Sequence, residues 1–211
     1  MKKNRPILAG MPTVSEIGVG IHHLMREWLN RLLDDPRFMT YVEPQGKRIR
    51  SALSLAGTLL LVSETAYWVY LGRTTGSVVP AKCLVPVTTA GVGAQTAEVG
   101  FFSTPAPPNA AAQVMTKIVA TGTVAALTAT GAKSNSTDFA TSVAENTHLW
   151  AGLRTAMATT QPTCAALFGD MSQGSILSMA AATAFTGAGP WTGQLITFGG
   201  AQAPDLNAGV A

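Results

Sequence analysis

The feature that most constrains the fold is a change in residue pattern at about Tyr41. After this point Val, Thr, Ala and Gly occur in short runs that Gly, Pro and Asn interrupt, and apolar residues no longer recur at helical spacing. Residues 104–109 contain three prolines, and residues 186–190 contain two glycines and a proline, so neither segment can continue a sheet ladder. We therefore expect a mostly β fold, a jelly-roll-like antiparallel β-sandwich, preceded by a short N-terminal amphipathic helix.

Seven segments between such turns have the composition and length of strands. They are residues 58–72, 78–87, 94–103, 113–121, 148–156, 163–169 and 193–198. Residues 175–184 are rich in alanine and fit either a helix or a strand. The sandwich is predicted over residues 51–200, and the small, polar residues 201–211 are predicted to be a flexible or partner-bound tail.

Residues 13–35 are the one segment with helical periodicity, and Pro36 ends it. An amphipathic helix must bury its apolar stripe on a domain or on another chain. We interpret residues 1–50 as an attachment or oligomerisation segment. The apolar stripe consists of Ile17, Ile21, Leu24, Trp28 and Leu32.

Charge is scarce and unevenly distributed. Only 12% of the residues are charged while 47% are hydrophobic. Residues 1–50 contain nine Lys or Arg and five Asp or Glu, whereas residues 51–211 contain five and six. A weakly charged exterior suits a protein whose surface is covered by neighbouring subunits. The basic residues form short clusters rather than a stripe, so no nucleic-acid partner is predicted.

No motif for chemistry is present, and no enzyme activity, cofactor or metal is predicted. Cys83 and Cys164 lack the paired spacing of a zinc site; they are either two buried thiols or one disulfide. The spacing GxSxG of a serine hydrolase is absent. Two carboxylates such as Glu98 and Asp170 could converge in space, so a hydrolase such as a depolymerase is an open alternative without a positive motif.

Residues 53–71 are the only candidate for a membrane span. Glu64 lies within them, and an ionised carboxylate in the bilayer centre costs about 3 kcal/mol. A buried strand explains the same residues without that cost, so no membrane partner is predicted. The N-terminus has basic residues but no apolar run of signal-peptide length before Pro12.

Aromatic residues cluster at 67–70, where strand alternation sends Tyr67 and Trp68 to opposite faces. Either one face is exposed for contact with carbohydrate or a partner, or both faces are buried. Trp191 stands in a Gly-Pro-Trp-Thr-Gly segment that reads as a loop, and it is the aromatic residue most expected at the surface. We name Tyr67 and Trp191 as candidate ligand-facing residues.

Three segments resemble the jelly-roll domains of tailed-phage virion proteins. They are YWVYLGR at 67–73, TTAGVGAQTAEVGFFS at 88–103 and LWAGLR at 149–154. The resemblance covers residues 55–198 and rests on the style and order of segments. Such domains occur in fibre, tail and capsid-decoration (cement) components.

The resemblance implies a trimeric or otherwise symmetric assembly unit of the virion without chemistry of its own, in which the apolar stripe from Ile17 to Leu32 could build a three-fold bundle. Its implied partners are other copies of the chain and virion proteins such as the major capsid protein or tail components. The alternative function is a carbohydrate- or host-receptor-binding module of a tail fibre that contacts host-surface glycan.

Overall fold

The computed structural model of the chain describes residues 40–43, 48–51, 54–93, 95–109, 112–121, 124, 127–157, 159–168, 174–195 and 203–210. The predicted helix at 13–35, with the stripe from Ile17 to Leu32, lies outside the described residues and stays a prediction. Within them the secondary structure consists of strands and no helix.

The described part of the chain contains fourteen strands. In chain order they are β1 (Thr40–Glu43), β2 (Arg48–Ser51), β3 (Ser54–Leu60), β4 (Ala66–Arg73), β5 (Pro80–Thr89), β6 (Gln95–Thr104), β7 (Gln113–Thr121), β8 (Gly131–Ser134), β9 (His148–Met157), β10 (Thr163–Phe168), β11 (Ile176–Met179), β12 (Trp191–Leu195), β13 (Ala203–Pro204) and β14 (Asn207–Val210).

These strands form two antiparallel sheets, one of which closes on itself. The open sheet has eight strands in the order β1-β2-β14-β5-β10-β13, with β3 also paired to β10 and β8 to β5. The other six strands form a closed barrel in the order β11-β12-β7-β6-β9-β4. The predicted antiparallel β fold is confirmed, whereas closure of one sheet into a barrel was not predicted.

Large side chains from all six strands fill the inside of the barrel. Gly152 of β9 lies opposite Trp68 of β4, and a Cβ at this glycine would sit 2.7 Å from Phe102 Cε2 and 3.0 Å from Trp68 Nε1. Glycine at 152 therefore makes room for the indole ring. The main barrel side chains are Trp68, Tyr70, Phe102, Met115, Trp150, Leu177 and Trp191.

A second core lies between the barrel wall and the open sheet. Alternate residues of β4, β6 and β9 point out of the barrel, for example Val69, Val99 and Leu153. They share a buried cluster with residues of the open sheet such as Val85 and Cys164. The two sheets thus pack face to face, and β4 is buried on both sides because one face lines the barrel and the other lines this second core.

The segment predicted as one strand at 58–72 is two strands in different sheets. β3 pairs with β10 in the open sheet, and β4 pairs with β9 in the barrel. Between them, the Thr65 amide donates to the Val62 carbonyl, and Glu64 has φ 60°. The apolar residues on both sides of Ser63-Glu64-Thr65 concealed this turn. Residues 176–179 of the undecided segment form the strand β11.

The open sheet extends beyond both predicted boundaries of the sandwich. Residues 203–210, which fall in the predicted flexible or partner-bound tail, pair within the open sheet: β13 pairs with β10, and β14 pairs with β2 and β5. Ala203, Leu206 and Ala208 are fully buried, because their small or apolar side chains fill the second core. At the other boundary, β1 and β2 pair with each other, and Ile49 is buried between two arginines whose charge concealed the alternation.

Candidate functional site

Glu98 and Arg154 form a buried ion pair inside one end of the barrel. They are direct partners on β6 and β9, and Arg154 Nη1 lies 3.5 Å from Glu98 Oε2. The same carboxylate accepts hydrogen bonds from the Phe185 amide at 2.7 Å and the Thr186 hydroxyl at 3.3 Å. Arg154 Nε donates to the Ala182 carbonyl at 2.6 Å. Both charges therefore hold the backbone of the segment that follows β11.

This segment, residues 180–190, closes the barrel end, and we refer to it as the barrel plug. The Phe185 ring packs against Phe102 at 4.8 Å and Trp68 at 5.8 Å between centroids. Lys117 Nζ donates to the carbonyls of Phe185 and Gly187 at 3.0 and 2.8 Å. Three charged side chains of the barrel therefore hold the barrel plug in place by binding its backbone: Glu98, Arg154 and Lys117.

Trp191 is buried, contrary to the prediction that it is displayed. It is 2% exposed, its Nε1 donates to the Thr183 carbonyl at 3.1 Å, and Lys117 Nζ lies 5.5 Å from its ring centroid. The flanking Gly, Pro and Thr residues suggested a loop. Trp191 is buried by the barrel plug that precedes it and by two residues that lie far from it in sequence, Phe102 on β6 and Lys117 on β7.

Tyr67, the other candidate ligand-facing residue, is also buried. It is 2% exposed and belongs to the second core, and its hydroxyl accepts a hydrogen bond from the Val62 amide at 3.3 Å. Burial raises the pKa of this hydroxyl. Of the two alternatives for the aromatic cluster, burial of both faces is the one that the structure bears out.

Tyr70 and His148 form a polar pair toward the other end of the barrel. Tyr70 Oη lies 2.9 Å from His148 Nδ1, and the two rings pack at 6.1 Å between centroids. Desolvation lowers the pKa of His148, and the positive charge of Arg73 adds to this effect. With the ring neutral and its proton on Nε2, Nδ1 accepts the tyrosine hydroxyl. The pair ties β4 to β9 at the point where their register shifts.

Cys83 and Cys164 are free, buried thiols in the second core. Burial raises the pKa of each to about 12, so neither is a thiolate at neutral pH. Within the described residues, no cluster of three or more His, Cys, Asp and Glu side chains could hold a metal ion. Asp170, the suggested partner of Glu98, lies outside the described residues.

Three large apolar side chains are exposed near the connection between β9 and β10. Leu60 is 59% exposed, Val62 57% and Val92 55%. Leu60 is paired with Thr163, and Val92 forms a bridge with Thr160, so the aliphatic side chains flank the connection between β9 and β10 from two sides. We call this region, residues 60–62, 88–93 and 159–163, the apolar end.

The apolar end continues onto an open strand edge. β3 pairs with β10 on one side, and among the described strands none pairs with its other side. Thr58, Leu60 and Thr163 are at least partly exposed there, and residues 57–63 contain no charge. An uncharged edge with exposed aliphatic side chains is typical of a surface that contacts another protein.

The sequence contained a signal for this surface that alternation could have revealed. In the run Leu59-Leu60-Leu61-Val62, Leu59 packs on the second core and Leu61 is buried, whereas Leu60 and Val62 point outward. Within the described part of the chain, no helix has the length and hydropathy needed to cross a membrane.

Comparison with known proteins finds no match to the chain among family models, curated proteins or solved structures.

Proposed function

We propose that the chain is a non-enzymatic structural subunit that forms a symmetric oligomer through its apolar end. The single observation that carries the proposal is the exposure of Leu60, Val62 and Val92 around one uncharged connection. Each of these side chains leaves more than half of its surface in water in the single chain. Burial against another subunit contributes about 25 cal/mol for each Å² of apolar surface removed from water.

The way the barrel uses its polar groups supports a structural role. Glu98, Arg154 and Lys117 are occupied in holding the barrel plug, and Tyr70 and His148 hold each other. Residues 51–211 contain only eleven charged residues, so few charges oppose the approach of a second subunit.

Within this role, we propose a trimeric decoration (cement) or fibre component of a tailed-phage virion. Support comes from the resemblance of residues 55–198 to jelly-roll virion domains, which also pack two antiparallel sheets face to face. The partners would be the major capsid protein or tail components. Burial of Tyr67 and Trp191 removes the aromatic surface on which a glycan-binding alternative depended.

A pair of charge variants tests the assembly surface. Leu60→Asp combined with Val92→Asp places two carboxylates on the apolar end, and light scattering should show a fall from the oligomer to the monomer mass. Val114→Asp is the matched control, since Val114 is 52% exposed but lies on β7 of the barrel. An oligomer that persists in the double variant, with circular dichroism unchanged in both, would contradict the proposed surface.

The virion assignment has a separate test. The purified chain, mixed with candidate tailed-phage capsids and tails, should co-sediment with one of them in a fixed stoichiometry. Failure to bind any such particle would contradict the virion assignment and would leave the assembly surface standing.

A further inference from the structure

Residues 203–210, comprising β13, β14 and the turn between them, complete a groove built by distant parts of the chain. We call this segment the C-terminal arm. Its ladder partners are Ala166 and Leu167 on β10, residues 80–84 on β5, and residues 48 and 49 on β2. Among the strands that the structure describes, β14 alone joins β1 and β2 to the rest of the open sheet. The arm therefore lies between strands as a separate, inserted element.

The groove accepts the arm through backbone pairing and small buried side chains. Ala203, Leu206 and Ala208 fill the second core, and the Asp205 amide donates to the Ala165 carbonyl at 2.8 Å. These contacts require an extended strand with apolar residues at alternate positions, which is the recognition mode of strand addition.

Two features of the docked arm oppose its binding. Asn207 Oδ1 is buried without a hydrogen-bond partner, and an unsatisfied buried acceptor costs free energy. The Asp205 carboxyl is desolvated, which raises its pKa. These two costs reduce the free energy that backbone pairing gains when the arm docks. Less free energy is therefore needed to release the arm from the groove.

We propose that the C-terminal arm is exchangeable, and that in the oligomer the arm of one copy pairs with β2, β5 and β10 of a neighbouring copy. Exchange of an identical element preserves every contact seen within one chain and is a low-cost route to symmetric assembly. Seven residues, 196–202, join β12 to the arm, and a fully extended link of this length spans at most about 25 Å. The inference rests on the proposed assembly function and specifies which segment joins one copy to the next.

One introduced thiol reports whose arm occupies the groove. Ala208 lies directly opposite Cys83, and both are fully buried on the same core, so Ala208→Cys places two sulfurs across one ladder step. Cys164→Ala removes the other thiol. Because both thiols are buried in the finished core, diamide is added while the chain refolds and assembles; it oxidises the two thiols to a disulfide, and electrophoresis without reductant shows which chains are joined.

Exchange predicts that most of the chain moves from the 21.8 kDa band to multiples of that mass, and that reductant reverses the shift. The same variant with Cys83→Ala should give no such bands. If the oligomer loses both free thiols while the chain stays in the monomer band, the disulfide lies within one chain. That result would overturn the proposed arm exchange and leave the proposed function intact. A wild-type chain that is monomeric by native mass spectrometry would overturn both.

A second thiol pair keeps the test available if the core variant does not fold. Gly209 is the ladder partner of Lys82, where both positions are partly exposed, and a Cβ built on Gly209 lies 3.1 Å from Lys82 Cβ. Lys82→Cys with Gly209→Cys, in a chain lacking both native cysteines, should give the same interchain bands. Bands confined to the monomer mass in a folded oligomer would again overturn the exchange.

Discussion

Glu98 and Arg154 face each other across two neighbouring barrel strands, and together they bind the backbone of the barrel plug. Glu98→Gln removes the charge while retaining one acceptor oxygen and leaves the mostly buried guanidinium without its counter-ion. Loss of one partner of a buried pair costs about 3 to 5 kcal/mol. We expect a decrease of that size in the free energy of unfolding, measured by urea denaturation.

The exposed ion pair of Lys82 with Asp138 provides the control for this change. Asp138 has a side chain that is 64% exposed, so Asp138→Asn should cost less than about 1 kcal/mol. Equal losses in the two variants would contradict the structural role assigned to Glu98.

Gly152 should tolerate no side chain. A methyl group would lie 2.7 Å from Phe102 Cε2, and overpacking of a core typically costs about 1 to 3 kcal/mol. We expect Gly152→Ala to lower the midpoint of thermal unfolding and to change the fluorescence of Trp68. Gly76→Ala, where a Cβ meets nothing within 4 Å, should leave both unchanged. A normal midpoint for Gly152→Ala would show that the barrel interior is looser than described.

Acid should destabilise the domain through His148. Its pKa lies below the ordinary value of 6.5 in the folded state, so between these two values the unfolded chain binds more protons. Stability is therefore lost as the pH falls below about 6.5 toward the lowered pKa. His148→Asn keeps an acceptor for the Tyr70 hydroxyl and removes the titration.

Denaturation at pH 7 and pH 5 tests this point. The wild type should lose more stability than His148→Asn over this interval, and the difference between the two profiles isolates the histidine from other groups, including Asp205. Parallel profiles would contradict the assigned coupling.

The thiols of Cys83 and Cys164 should not react with thiol reagents until the domain unfolds. Because Cys83 and Cys164 are buried and burial raises the pKa of each to about 12, a disulfide reagent such as Ellman's should not react with either at neutral pH. Both should react in denaturant. Fast reaction of either thiol in the native chain would show that the second core opens readily.

The local sequence pattern predicted the strands in which apolar residues alternate with polar ones or form a continuous run. Residues 113–121 match β7, and the predicted segment 94–103 is within one residue of β6 at each end. The strands that were missed are short, and β2 carries arginines on both sides of Ile49. The pairing of β2 with the rest of the open sheet depends on β14, which is some 160 residues away, so no local pattern contains it.

The candidate site was predicted less well for the same reason. Trp191 is buried partly by Phe102 and Lys117, which lie on distant strands, and the spacing of residues around Trp191 does not reveal those contacts. The sequence pattern predicts one continuous strand through Leu60, whereas its exposure follows from a turn that sends the chain into the other sheet. Barrel closure is likewise a property of pairings between distant strands.

Native mass spectrometry of the wild-type chain across the micromolar range tests the central claim most directly. We predict a single closed oligomer, a trimer, that persists on dilution until it dissociates to folded monomers. A chain that stays monomeric at every concentration, with its apolar end in water, would contradict the account.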